Sequence, residues 1–310
     1  MKKLATLYII TSLGLLTALP GFSQKALVKK AAKTNESLEY IKTIEVLQAV
    51  ADKGYESPDL FSRLADAYYF NNNMPEAARW YEKLMNTGQQ INPEYYFRYA
   101  LSLKGIQKYD EADVWMQKFN EARANDQRAQ LYVDSKEFLA QLPDKSSQVE
   151  MNNLGINTAL SDFSTGFYKG EMVFASARGE GPKYGWNNQP YLNLYLGKRY
   201  EQTQNSFSDA LPLEGKVNTR FHESNAVFSK DGNTLYLTRN NYLRGRLRKD
   251  DEKFSNLKIF RAHFDGTEWT DVATLPINND DFNTAHPTLT PDEKYLIFSS
   301  DRPGSLGASD

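Results

Sequence analysis

From about Lys25 to Leu142, apolar residues recur three and four positions apart with few β-branched alternations, which predicts amphipathic helices. A longer period overlies this one. Ala31, Ala65 and Ala100 stand 34 and 35 residues apart, and the same two intervals separate Thr43, Ala77 and Ala112, then Leu47, Tyr81 and Met116, then Val50, Leu84 and Phe119. Small residues at two fixed points let paired helices approach closely, while the bulky ones fill the gap to the next pair. The stretch KTNES breaks the first of these helices early, and EARANDQRAQLYVDSKEFLAQL after Phe119 offers a last helix that would cover the end of a stack.

The texture changes at Pro143. The polar stretch DKSSQVEMNN reads as a linker into short alternating segments separated by Gly, Asn and Asp turns, which predicts strands. GFYKGEMVFASAR, SKDGNTLYLTRN and TPDEKYLIFSSDR align on Met172, Leu235 and Leu296, at intervals of 63 and 61. NAVFS and HPTLT upstream are expected to pair with the later two across the Asp231–Gly232 and Asp292–Glu293 turns, and LKIFRAHFDGTEW predicts a hairpin about Asp265 and Gly266. That makes about four strands per unit.

LADAYYFNNNMPEAARWYEKLM (Leu64 to Met85) and YALSLKGIQKYDEADVWMQKF (Tyr99 to Phe119) resemble tetratricopeptide repeats, with EYIKTIEVLQAVADKGY as a poorer first unit in which Thr43 replaces the usual Ala. The later units resemble the blades of a WD-like β-propeller, HPTLTPDEKYLIFSSDRPG most of all. The fold class expected is therefore multidomain: all-α tetratricopeptide-type repeats, then an all-β partial propeller. The expected divisions are a signal peptide at 1–23, a helical domain at 24–142, a linker at 143–152 and the propeller part at 153–310. Those 158 residues, at about 62 each, make two and a half units, whereas closed propellers need about four blades. Ring closure is not expected, and DRPGSLGASD stopping where another strand is due suggests a truncated product or partial gene model, with a short solenoid as the alternative.

Composition narrows the chemistry. The 310 residues include 37 basic and 39 acidic, for a net −2, which removes the phosphate attraction that nucleic-acid binders use. There is no cysteine, hence no disulfide, thiolate metal site or cysteine nucleophile, and the histidines are only His222, His263 and His286. Lys2 and Lys3 precede an uncharged run from Leu4 to Gln24 ending in Pro20, Gly21 and Ser23, which reads as a secretory signal cut between Ser23 and Gln24, an uncleaved anchor being the alternative.

The order of signal, helical repeats and DFSTGFYKGEMVFASAR opening a propeller resembles the OmpA-family envelope proteins of Bacteroidetes, including the PorE type associated with type IX secretion. The resemblance implies a periplasmic, outer-membrane-associated location, indirect membrane association and envelope-protein partners. In that family a C-terminal OmpA-like domain binds peptidoglycan. These residues hold no such segment, so wall binding is not assigned to them.

No Walker loop, HExxH, GxSxG elbow or CxxC occurs, so no catalytic residue, cofactor or metal is expected. GEGPKYG (Gly179 to Gly185) reads as a blade loop, His222–Glu223 and His286–Pro287 as strand-end packing or hydrogen-bonding residues, and NNDDFN (Asn278 to Asn283) as a solvated turn rather than a calcium loop. RNNYLRGRLRKDDEK (Arg239 to Lys253) reads as a blade loop whose basic residues are neutralised by Asp250, Asp251 and Glu252, the alternative being a patch for anionic lipid headgroups or an acidic protein. Carrying the helical-repeat register onto the chain gives a peptide-binding groove of Asp59, Ser62, Asp66, Tyr69, Phe70, Glu94, Phe97 and Lys104, although Tyr69 and Leu101 fit a core equally well. The leading expectation is a non-enzymatic adaptor acting through this groove and the propeller face. A non-catalytic front part of a hydrolase and a carbohydrate-sensing propeller are the alternatives.

Overall fold

The computed structural model describes residues 24–32, 38–141, 152–199, 207–306 and 309–310. The predicted signal, the KTNES stretch and nearly all of the predicted linker lie outside them. Two compact units emerge: Met1–Val149 with Gly185–Asn188, and Glu150–Tyr184 with Gln189–Asp310.

The first unit holds seven helices among the described residues: α1 (24–32), α2 (Tyr40–Ala51), α3 (Pro58–Phe70), α4 (Met74–Met85), α5 (Glu94–Gly105), α6 (Tyr109–Ala122) and α7 (Gln127–Gln141). Local chemistry sets the boundaries. Ser57 and Asn73 accept hydrogen bonds from the Leu60 and Glu76 amides, and each is followed by proline in the first turn of its helix. The links α3 to α4 and α5 to α6 turn at Asn72 (φ 60°) and Gln107 (φ 64°), left-handed residues one repeat interval apart. Neighbours in sequence pack on one another from α2 through α7.

All twelve residues of the four spaced series are buried. The 34- and 35-residue interval therefore marks buried positions that recur along the helices. Gly105 shows how tight the packing is: an added Cβ would lie 2.6 Å from Met74 Cγ. Within the same unit the Trp186 ring meets Tyr40 edge-on, and its indole N–H donates to the Phe70 carbonyl.

In the second unit β1 (Asp162–Tyr168), β2 (Glu171–Ser176), β3 (Asn193–Arg199) and β4 (Phe207–Pro212) form one antiparallel sheet in sequence order. Next come β5 (Glu223–Phe228) and β6 (Thr234–Asn240), a small hairpin of β7 (Tyr242–Leu243) and β8 (Arg246–Leu247), then β9 (Leu257–Phe264) and β10 (Trp269–Thr274). The second sheet is ordered β5-β6-β9-β10, with β7-β8 outside it. β11 (Thr284–Leu289) and β12 (Leu296–Ser300) form a two-stranded sheet. The predicted hairpins at Asp231–Gly232, Asp265–Gly266 and Asp292–Glu293 are all present. Among the described residues the sheets do not close into a ring.

First strands of successive sheets pack together, β1 on β5 and β5 on β11. Alternation buries Val173, Ala175, Leu194, Leu235, Leu237, Phe260 and Ala262 in one core, where Trp269 gathers Tyr168, Phe228 and Phe264 at ring separations of 5.3–5.6 Å. Gly215 bridges to Trp269 with φ +99°, and a Cβ there would fall 2.6 Å from the Trp269 nitrogen and collide with its carbonyl oxygen.

Candidate functional site

The predicted groove residues fall on α3 and α5, and they divide into a connected group and isolated positions. Asp66 is buried and accepts from Tyr81 Oη at 2.7 Å and Arg98 Nη1 at 2.8 Å. Arg98 also lies 3.6 Å from Glu94, whose carboxylate takes a two-pronged contact from Arg128 at 3.0 and 2.8 Å; Arg128 in turn reaches Asp126. The result is an alternating ladder, Asp66–Arg98–Glu94–Arg128–Asp126. Each guanidinium covers a half-buried ring from the predicted set, Arg98 over Phe70 at 4.9 Å and Arg128 over Phe97 at 4.4 Å.

The ladder sets its own electrostatics. Burial lifts the Asp66 carboxyl above its ordinary value against the pull of Arg98, and pushes the Tyr81 hydroxyl well above its own, so Tyr81 stays a donor. Hydrogen bonding from Arg128 holds Glu94 below the usual carboxylate range. Tyr69 packs between Phe70 and Tyr81 at the margin of the core. Three predicted residues stay apart from the ladder: Asp59 pairs with Arg63, Ser62 donates to the Asp59 carbonyl, and Lys104 sits 5.5 Å over Tyr132. The groove expected from the sequence does not include Arg98 and Arg128, which connect the group. A signal existed, because the partners Asp66 and Arg98, and Glu94 and Arg128, are separated by 32 and 34 residues, close to the helical repeat.

The sheets carry their own repeated polar joints. Arg178 Nε donates to Ser176 Oγ with its ring partner Phe174 at 4.8 Å, and Arg302, Ser300 and Phe298 repeat this with the same 4.8 Å stacking. Thr158 donates through its amide and hydroxyl to Asp162, as Thr219 does to Glu223. Ser164, Asn225 and His286, each with positive φ at a β-bulge and 61 residues apart, form a chain in which Asn225 Nδ2 donates to Ser164 and His286 Nδ1 meets Asn225 Oδ1 at 2.7 Å.

No protein-family model and no curated protein matches this sequence.

His222 is a hydrogen-bonding residue: Nδ1 accepts from the Leu192 amide at 3.1 Å between the rings of Tyr184 and Tyr191, and burial pulls its pKa down to about 4. The adjacent Glu223 is fully buried, which pushes its carboxyl up to about 8. Two expectations need correction. NNDDFN is not a merely solvated turn: Asn278 donates to the Ile259 carbonyl and accepts from its amide, a two-way contact that an asparagine can make with a free backbone segment, and Asn218 does the same for Leu194. Among the described residues Asp250, Asp251 and Glu252 of RNNYLRGRLRKDDEK make no ion pair with its arginines, contrary to the expectation of paired charges. Asp250 accepts instead from the Phe254 amide and Asn256, closing its own turn, and Arg239 lies buried over Phe260 at 4.0 Å. Among the described residues no group of three or more His, Asp or Glu could hold a metal, and no helix is long and apolar enough to cross a membrane.

Proposed function

We propose that this chain is a non-enzymatic adaptor of the bacterial envelope, a tetratricopeptide-type stack followed by part of a WD-like propeller, exported to the periplasm and associated with the outer membrane. The reading is carried by two aromatic–guanidinium pairs, Phe70 of α3 under Arg98 of α5 and Phe97 of α5 under Arg128 of α7. Half-buried rings supply contact area at low entropic cost, and the flanking charges fix the register of an extended segment laid across them. The burial of every member of the 34- and 35-residue series supports the repeat assignment, and the 61-residue recurrence of sheet joints supports the blades. Envelope proteins are the partners, with a place in type IX secretion or envelope organisation; any link to peptidoglycan runs through a domain these residues do not contain. The strongly perturbed groups, Asp66, His222 and Glu223, are held in internal hydrogen bonds, which fits a scaffold better than a reaction centre.

Site-specific photocrosslinking in envelope preparations tests this. A crosslinker replacing Phe97 or Lys104 is expected to capture one discrete envelope protein, and one replacing the exposed Val114 on α6 is not. Equal capture at all three positions, or none at Phe97 and Lys104, would overturn the groove. N-terminal sequencing of the periplasmic form is expected to begin at Gln24.

A further inference from the structure

The second unit contains a cavity of about 520 Å³ beside the β7–β8 hairpin, within the size range of small-molecule sites. Its lining is strongly basic. Arg244, Arg246 and Arg248 come from the hairpin and Lys258 from β9, against a single carboxylate, Asp280. Asp280 is already occupied, accepting from Asn241 Nδ2 at 2.7 Å and lying 3.8 Å from Arg248. Arg244 and Arg246 are exposed and make no ion pair among the described residues. Among the lining residues four cations face one anion, in a chain whose net charge is −2; Asp250, Asp281 and Asp301 act on Lys258 from outside the lining, so the basic excess sits at the Arg244 and Arg246 rim.

The hairpin is built to present these groups. Arg244 and Gly245 both take positive φ, 51° and 79°, the two-residue turn that reverses a tight hairpin. An arginine in that conformation carries backbone strain that glycine or asparagine would relieve. Lys258 is 1 % exposed, and its Nζ donates to the Phe282 carbonyl at 3.0 Å. Burial depresses its basicity, so an anion brought alongside would gain from restoring it. Guanidinium forks match the paired oxygens of phosphate and carboxylate groups, while the ammonium acts as a fixed point charge.

We infer that this cavity binds a small soluble polyanion, a molecule carrying two or more phosphate or carboxylate groups, held by Arg244 and Arg246 at the rim and Lys258 in the wall. The site is independent of the helical groove, so either can fail alone.

Isothermal titration of the full chain at low salt, with inorganic pyrophosphate and separately with citrate, tests it. At least one is expected to bind, and the pair of arms distinguishes phosphate from carboxylate as the preferred group. Arg244→Gln with Arg246→Gln, both exposed and outside the core, is expected to weaken binding about tenfold or more. Asp280→Asn, which removes the opposing charge, is expected to tighten it several-fold. Lys29→Gln with Lys30→Gln on α1 is expected to leave it unchanged. No binding of either probe, equal loss in the α1 control, or retention of chain on phosphatidylglycerol vesicles without binding of either soluble probe would each overturn the inference.

Discussion

At the scale of single residues, Asp66, His222 and Glu223 are held in internal hydrogen bonds, and loss of those contacts has measurable costs. Asp66 depends on Arg98, so Arg98→Met should destabilise the helical unit by about 3 kcal/mol, since it leaves a buried carboxylate short of its cation. Asp66→Asn combined with Arg98→Gln should cost less than the sum of the single changes in urea titrations, because the pair is then neutral on both sides. His222 and Glu223 make opposing pH contributions. The folded state holds His222 neutral down to about 4 while the unfolded side chain takes up a proton near 6.5, so its contribution is lost as pH falls between those values. Glu223 keeps its proton up to about 8 against 4.5 when unfolded, so its contribution is lost as pH rises through that window. Melting temperature against pH should therefore lose its acid-side fall in His222→Gln and its alkaline-side fall in Glu223→Gln.

At the scale of elements, close approach of backbones decides where change is tolerated. Gly215 combines a positive φ with contact against the Trp269 backbone, so Gly215→Ala should destabilise the sheet unit by about 2–3 kcal/mol, visible as a lower melting temperature by near-ultraviolet circular dichroism from Trp269. Elements were the most legible level of the sequence. Two periods, one near 3.6 and one of 2, separate the helices from the strands, and turn residues such as Asp231–Gly232 place the hairpins, because these signals act over a few neighbouring residues. The candidate groove was legible only in part. Phe70, Phe97, Glu94 and Asp66 come from the repeat register, whereas Arg98 and Arg128 are placed by contacts across about one whole repeat, which local pattern does not encode. The charge pairing of the basic hairpin is likewise not set by its neighbours in sequence. Asp250–Glu252 are its neighbours along the chain, yet the Asp250 carboxylate turns to its own loop, and the acid nearest Arg248 is Asp280.

At the scale of the whole molecule, the helical core and the two sheet cores share no residue. A fragment of residues 24–141 should accordingly keep cooperative helix unfolding by circular dichroism; a broad, non-cooperative melt would show that its core is insufficient alone. The amino-acid order by itself determined the switch from stacked helices to antiparallel sheets, the two repeat intervals and the positions of the turns, because burial of one face and tight reversal are demands each short segment meets locally. Only the tertiary structure decided which charges meet, which of them are buried, and that Arg244, Arg246 and Lys258 surround one cavity. Those outcomes depend on distances between segments far apart in the chain, and electrostatic energy follows distance and burial rather than sequence order.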